Sequence, residues 1–136
     1  MPGIVVGVDG SSHSRLALQW ALSEAAARRA PLTVLSVRHD RVVTCTAGDL
    51  TQDQVTEEVQ ELVDQAVNSQ SGPAPPVAVQ VIPGSPAAEL LGAGYYADLL
   101  VVGSRGSGGL GQLGVGSVSS QLACDAPCPV VIIFQP

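Results

Sequence analysis

Short runs of β-branched and aliphatic residues alternate along this chain with longer segments in which apolar positions recur every three or four residues. Ile4 to Val8 is the first run; Asp9-Gly10-Ser11-Ser12 breaks it at once, so it reads as a buried strand ending in a turn. A helix is expected from near Ser12 through Arg29. Leu16 and Trp20, with Ala17, Ala21 and Ala25, fall at helical spacing, and Pro31 stops the helix. Leu32 to Val37 forms the second strand, and Arg38 to Asp49 a polar connection. Thr51-x-x-Gln54 has the capping-box pattern, and Val55, Val59, Leu62, Val63 and Ala66 behind it trace one apolar stripe, which predicts the second helix.

The stretch NSQSGPAPP, Asn68 to Pro76, is turn chemistry and acts as a connector within one domain spanning 1–136. Val77 to Ile82 is the third strand, Gly84 turns, and Ser85-Pro86 supplies an N-cap and a first-turn proline for a helix through Leu90 and Leu91. Gly92 and Gly94 weaken the end of that helix. Leu99 to Val102 is the fourth strand, Ser117 to Ala123 the fourth helix, and Pro129 to Phe134 the fifth strand. The alternation β-α-β-α-β-α-β-α-β with apolar strands predicts an α/β fold: a doubly wound five-stranded parallel sheet with helices on both faces and right-handed crossovers. Ligands of such sheets sit beyond the carboxyl ends of the strands, where strand order reverses. An order of 3-2-1-4-5 would put the loops after the first and fourth strands side by side.

Composition narrows the function. The formal charge is −6, lysine is absent, and the six arginines are scattered, which argues against a nucleic-acid or anionic-membrane surface. No segment approaches the ~20 apolar residues of a membrane span and the amino terminus lacks a basic region followed by an apolar run, so the expected location is cytoplasmic. Cys45, Cys124 and Cys128 have no usual zinc or redox spacing and read as reduced thiols. Asp53, Glu57, Glu58, Glu61 and Asp64 share the polar side of the second helix, where a solvated face is the expectation rather than a cation site. His13 and His39 have no evident acid or nucleophile partner, and read as structural or surface residues.

The chemistry concentrates after the fourth strand, in LLVVGSRGSGGLGQLGVGSVSSQL from Leu99 to Leu122. Seven glycines lie between Gly103 and Gly116, and a serine-rich helix start follows. Each glycine that could have been alanine forfeits about 0.4–1 kcal/mol. A ligand approaching the backbone would repay that, whereas a flexible surface linker is the alternative. Amides at the helix start would bind an anion such as phosphate. Two familiar patterns fail here. Gly106-Ser-Gly108-Gly-Leu-Gly111 matches G-x-G-x-x-G, but it stands at the fourth strand, and the strand after it offers no acid for a ribose. Gly111 to Ser117 resembles a P-loop without its lysine.

The third pattern fits throughout. Gly103-x-x-Gly106, nine residues, then Gly116-Ser117, with VVGVDGS, ADLLVVGSRG, GSVSSQL and the closing APCPVVII around it, resembles the universal stress protein family and the signature of its ATP-binding members. The resemblance implies a Rossmann-like adenine-nucleotide-binding fold ordered 3-2-1-4-5 and a homodimer paired through the last strand, Pro129 to Phe134. By position it places Asp9 near the ribose or a magnesium ion that enters with ATP, with Gly10 and Ser11 in the same turn. Backbone groups of Val37 would meet the adenine edge. Gly103, Ser104 and Gly106 would lie against ribose and phosphates, and Gly116, Ser117 and Val118 would bind the outer phosphates. Arg105 is either a phosphate contact or a solvated side chain. No lysine or base stands ready for hydrolysis, so the expected role is a nucleotide-dependent regulator of a stress or dormancy response. A slow ATPase and a dimeric interaction module with little nucleotide affinity are the alternatives.

Overall fold

The structure, a computed structural model, describes residues 3–38, 52–105 and 117–135. Nine elements follow in order: β1 (Ile4–Gly7), α1 (Ser12–Arg28), β2 (Leu32–Arg38), α2 (Gln52–Ser69), β3 (Val77–Pro83), α3 (Pro86–Ala93), β4 (Leu99–Gly103), α4 (Ser117–Asp125) and β5 (Val130–Ile133). All strand pairs are parallel and the sheet is ordered β3-β2-β1-β4-β5, as the alternation of elements predicts. The Thr51 of the expected capping box, the connection 39–50 with Cys45 and His39, and the loop residues Gly106 to Gly116 lie outside the described residues.

The two faces of the sheet are covered by different helix pairs. On one face Ile4, Val6, Leu32, Val34, Leu99 and Val101 pack with Ala17, Leu18, Ala21, Leu22 and Ala25 of α1 and Val59, Val63 and Ala66 of α2. On the other, Leu35, Leu100 and Val102 pack with Leu90 of α3 and Leu122 of α4. Successive residues of a strand point to opposite faces, so the apolar runs of β1 and β4 feed both cores at once. The edge strand β3 differs. Its Ala78, Gln80 and Pro83 are exposed, giving the alternation of a strand buried on one side.

Some local expectations change. The buried line of α1 is Ser14, Ala17, Leu18, Ala21, Leu22 and Ala25, whereas Leu16 and Trp20 lie half-buried on its flank. Helix α1 meets both the sheet and α2, so its apolar surface is wider than one stripe. Ser85 occupies the N-cap of α3 without a side-chain capping hydrogen bond. The end of α3 is firmer than its glycines suggest: Gly94 N–H donates to the Leu90 and Leu91 carbonyls, and Gly94 packs so closely on Pro127 that a Cβ would lie 2.9 Å from the ring. Ser23 Oγ donates to Gln70 Oε1 at 2.9 Å, tying α1 to the end of α2. The five acids of α2 are all exposed, and no group of three or more potential metal ligands occurs among the described residues.

Leu18 is 1% exposed at the middle of α1, between the sheet and α2. Truncating it removes apolar contact and leaves a cavity that a parallel sheet collapses into poorly. Leu18→Ala is expected to cost about 2–5 kcal/mol. The midpoint of thermal unfolding should fall by roughly 10 °C, read by circular dichroism.

Candidate functional site

With β1 between β2 and β4, the carboxyl ends of these three strands open side by side, and the strand order reverses there because β2 and β4 flank β1 on opposite sides. The turn after β1 is built by its own polar residues. Asp9 Oδ1 accepts from the Ser11 N–H at 2.9 Å, the Asx turn such a residue favours. Gly10 follows with φ of +84°, a backbone state that a side chain would strain. Ser11 then caps α1: its Oγ accepts from the Ser14 N–H at 3.2 Å. Ser14, buried at 4% exposure, answers with its own hydroxyl, which donates to the Ser11 carbonyl at 3.0 Å and accepts from the Asp9 N–H at 3.3 Å. The carboxylate of Asp9 thus stands exposed on a braced turn.

Val37 gains its place from the unequal lengths of neighbouring strands. Pairing of β1 with β2 ends at Gly7 and Leu35, with one more bond from the Val8 N–H to the Leu35 carbonyl at 3.0 Å. Strand β2 continues to Arg38. In a parallel sheet the peptide groups of alternate residues face alternate neighbours. Those of Leu35 face β1, and the Arg38 carbonyl faces β3, where it accepts from the Gly84 N–H at 2.8 Å. Val37 therefore directs its peptide N–H and C=O to the β1 side, beyond the point where β1 has stopped. Its side chain packs against the core under α3 and α4.

On the far side, β4 ends against α1. A Cβ on Gly103 would lie 2.8 Å from the backbone carbon and Cβ of His13 and 2.9 Å from its carbonyl oxygen, so glycine is needed here for packing. His13, half-buried in the first turn of α1, is the residue that closes on it. Ser104 is 2% exposed, and both its peptide groups are engaged: its N–H donates to the Ile133 carbonyl at 2.8 Å and its C=O accepts from Ser119 Oγ at 3.0 Å. Ser104 is thus held within the fold, with Arg105 exposed after it. Ser117 is exposed and Val118 half-buried in the first turn of α4. Beyond β5, Gln135 returns to α1, where Ser12 Oγ donates to its Oε1 at 2.9 Å. The structure thus brings Asp9, Gly10, Ser11, Val37, Gly103, Arg105, Ser117 and Val118 to one end of the sheet; Gly106 and Gly116 lie outside the described residues.

Sequence reasoning missed Ser14, Ser119 and Gln135. Ser14 had a signal, since it stands three residues after an N-cap serine. Ser119 and Gln135 had none, because their partners lie 15 and 123 residues away. Cys124 and Cys128 are free thiols, as their spacing suggests. Burial pushes the Cys128 thiol up, a backbone hydrogen bond at Leu100 opposes that, and the Asp98 carboxylate adds to the rise. Because the thiolate is the nucleophile, iodoacetamide should label Cys128 much more slowly in the folded than in the unfolded protein at pH 7.5, and faster as pH rises, as measured by mass spectrometry.

Fold and site together define the class: a doubly wound parallel α/β protein with polar and glycine residues gathered at its topological switch point. The model of the universal stress protein family matches residues 2–133. A universal stress protein of Mycolicibacterium smegmatis is 33% identical over 141 residues, covering 96% of this chain and 47% of that protein. The chain therefore spans about half the length of that relative. Among solved structures, UspA from Lactobacillus plantarum has a TM-score of 0.80 at 26% identity, covering 97% of each chain. A universal stress protein solved in complex with cAMP has a TM-score of 0.72 at 25% identity, covering 99% of this chain and 98% of the other. The chain belongs to the universal stress protein family.

Proposed function

We propose that this protein binds an adenine nucleotide, ATP with Mg2+, in the cleft at the ends of β1, β2 and β4, and acts as a nucleotide-dependent regulator in a stress or dormancy response. The observation that carries the proposal is the overshoot of β2, which points the peptide groups of Val37 past the end of β1. One donor and one acceptor side by side suit the edge of a purine. Asp9 lies between that edge and β4, where a carboxylate suits ribose hydroxyls. Gly103, Arg105, Gly106, Gly116, Ser117 and Val118 would take the phosphates, the last two through amides of the first turn of α4. The complex of a family member with cAMP supports an adenine nucleotide as the ligand class.

The residues fit ATP better than they fit a resident metal. Asp9 is the one carboxylate in the turn after β1, and magnesium demands several oxygen ligands, so the ion would enter on the phosphates with Asp9 contributing at most one oxygen. Lysine is absent from the whole chain, which leaves Arg105 as the cation nearest the expected phosphates and weak means for stabilising a transferring phosphoryl group. The proposal is therefore a protein that holds ATP rather than turning it over.

A homodimer through β5 is part of the same proposal. Strand β5 ends the sheet with half-buried Val130 to Ile133, and Phe134 beyond it is 56% exposed; an apolar edge of this kind is covered by pairing with another strand. Sedimentation should show a dimer, and monomer alone at high concentration would remove that part. No helix among the described residues is long and apolar enough to cross a membrane; a single domain acting in the cytoplasm is part of the proposal. To test the nucleotide reading, the purified protein is unfolded in denaturant and the released small molecules are identified. Intact ATP is expected. ADP alone would favour hydrolysis, and no nucleotide, even after incubation with Mg-ATP, would refute the proposal.

A further inference from the structure

Ser119 is 1% exposed, and its hydroxyl donates at 3.0 Å to the carbonyl of Ser104, itself 2% exposed and 15 residues earlier. A buried serine in a helix commonly bonds back to a carbonyl of its own preceding turn. This hydroxyl reaches from the first turn of α4 to the residue just past β4. The other side of Ser104 is held too, because its N–H donates to the Ile133 carbonyl of β5. Strand end, edge strand and helix start are thereby tied together through Ser104. Alanine would be the better helix former at this position and would bury as well. A serine is warranted by the carbonyl it satisfies, since a buried acceptor without a partner is costly.

We propose that Ser119 is a positioning residue for the phosphate half of the cleft: its bond to Ser104 sets the distance and angle between Gly103 and the amides of Ser117 and Val118. This rests on the reading of the cleft as an adenine-nucleotide site. The adenine half, built on Val37 and the Asp9 turn, belongs to β2 and β1 and does not pass through Ser119. Loss of the hydroxyl lets the start of α4 drift from β4 while the purine contacts stay in place. Phosphate binding by backbone amides is steeply sensitive to such drift, because the donors have no flexible side chain with which to follow the ligand.

The test compares two ligands on three proteins: ATP with Mg2+ and adenosine, each measured by equilibrium competition on the wild type, Ser119→Ala and Ser119→Cys, with thermal unfolding followed in parallel. Ser119→Ala is expected to weaken ATP at least fivefold and adenosine less than twofold, while unfolding cooperatively well above the assay temperature. Ser119→Cys, similar in size but a weaker donor, should fall between the wild type and the alanine variant, which separates the hydrogen bond from the cavity. Unchanged ATP affinity in Ser119→Ala would overturn the proposal and leave the nucleotide reading standing. Equal losses for ATP and adenosine would overturn it in favour of general loosening. A wild type that binds neither ligand would overturn both.

Discussion

Asp9→Ala is expected to weaken Mg-ATP binding at least tenfold without unfolding the protein. The carboxylate is exposed, so its removal takes little from the core, but it does two things at the cleft. Its Oδ1 accepts the Ser11 N–H and so shapes the turn that caps α1, and in the proposed complex its charge would meet ribose hydroxyls or a phosphate-bound magnesium. A hydrogen bond to a charged group is worth about 1.5–3 kcal/mol, and tenfold in affinity is about 1.4 kcal/mol. Asp9→Asn separates the two roles. Its amide oxygen can still accept from Ser11, so the turn should survive while the charge is lost, and affinity should lie between the wild type and the alanine variant. Calorimetric titration measures both, with far-ultraviolet circular dichroism to confirm the fold. Wild-type affinity in Asp9→Ala would mean that the ligand does not reach this turn.

Gly103→Ala should damage stability and binding together. The added Cβ would meet the backbone of His13, and backbone at 2.8–2.9 Å gives way only if α1 or the end of β4 moves. Overpacking of this kind costs about 1–3 kcal/mol. The same movement would carry the start of α1, with the Asp9 turn, away from the loop after β4, so ATP affinity should fall by at least tenfold at temperatures where the variant is still folded. Urea unfolding and nucleotide titration on one preparation check the two effects. A variant with normal stability would show that α1 and β4 approach less closely than described.

How much of this was legible in the chain depends on whether the determinant was local. The order of elements and the strand order β3-β2-β1-β4-β5 follow from periodicity, apolar runs and the rules of parallel sheets, all of which act through neighbouring residues or general topology. The helix start at Ser12 was legible for the same reason. Strand ends shifted by a residue or so: β1 stops at Gly7 rather than Val8, β2 runs to Arg38, and β5 starts at Val130 rather than Pro129. These small shifts matter at the carboxyl ends of the strands, because β2 overshoots β1 and the peptide groups of Val37 lie beyond the end of β1. The apolar spacing of Leu16 and Trp20 pointed to the flank of α1 rather than its most buried line, since a helix packed on both a sheet and another helix buries more than one stripe.

The glycine motif illustrates the other limit. Gly103 was read as a glycine required by a ligand, and the structure supplies a packing reason in His13 that no single-chain pattern shows. Ser104 fell within the same motif, yet its peptide groups are spent on Ile133 and Ser119. Buried serines such as Ser14 and Ser119 look like surface serines in a sequence, because only the folded neighbours show which carbonyl each hydroxyl satisfies.

ATP at the carboxyl ends of β1, β2 and β4 is the proposed ligand. Equilibrium dialysis of the folded wild-type protein against labelled ATP, with magnesium present, tests it most directly. Saturable binding of one ATP per chain, displaced by adenosine and at least tenfold weaker in Asp9→Ala, is the predicted result. Absence of saturable binding at millimolar Mg-ATP by a protein that unfolds cooperatively would contradict it.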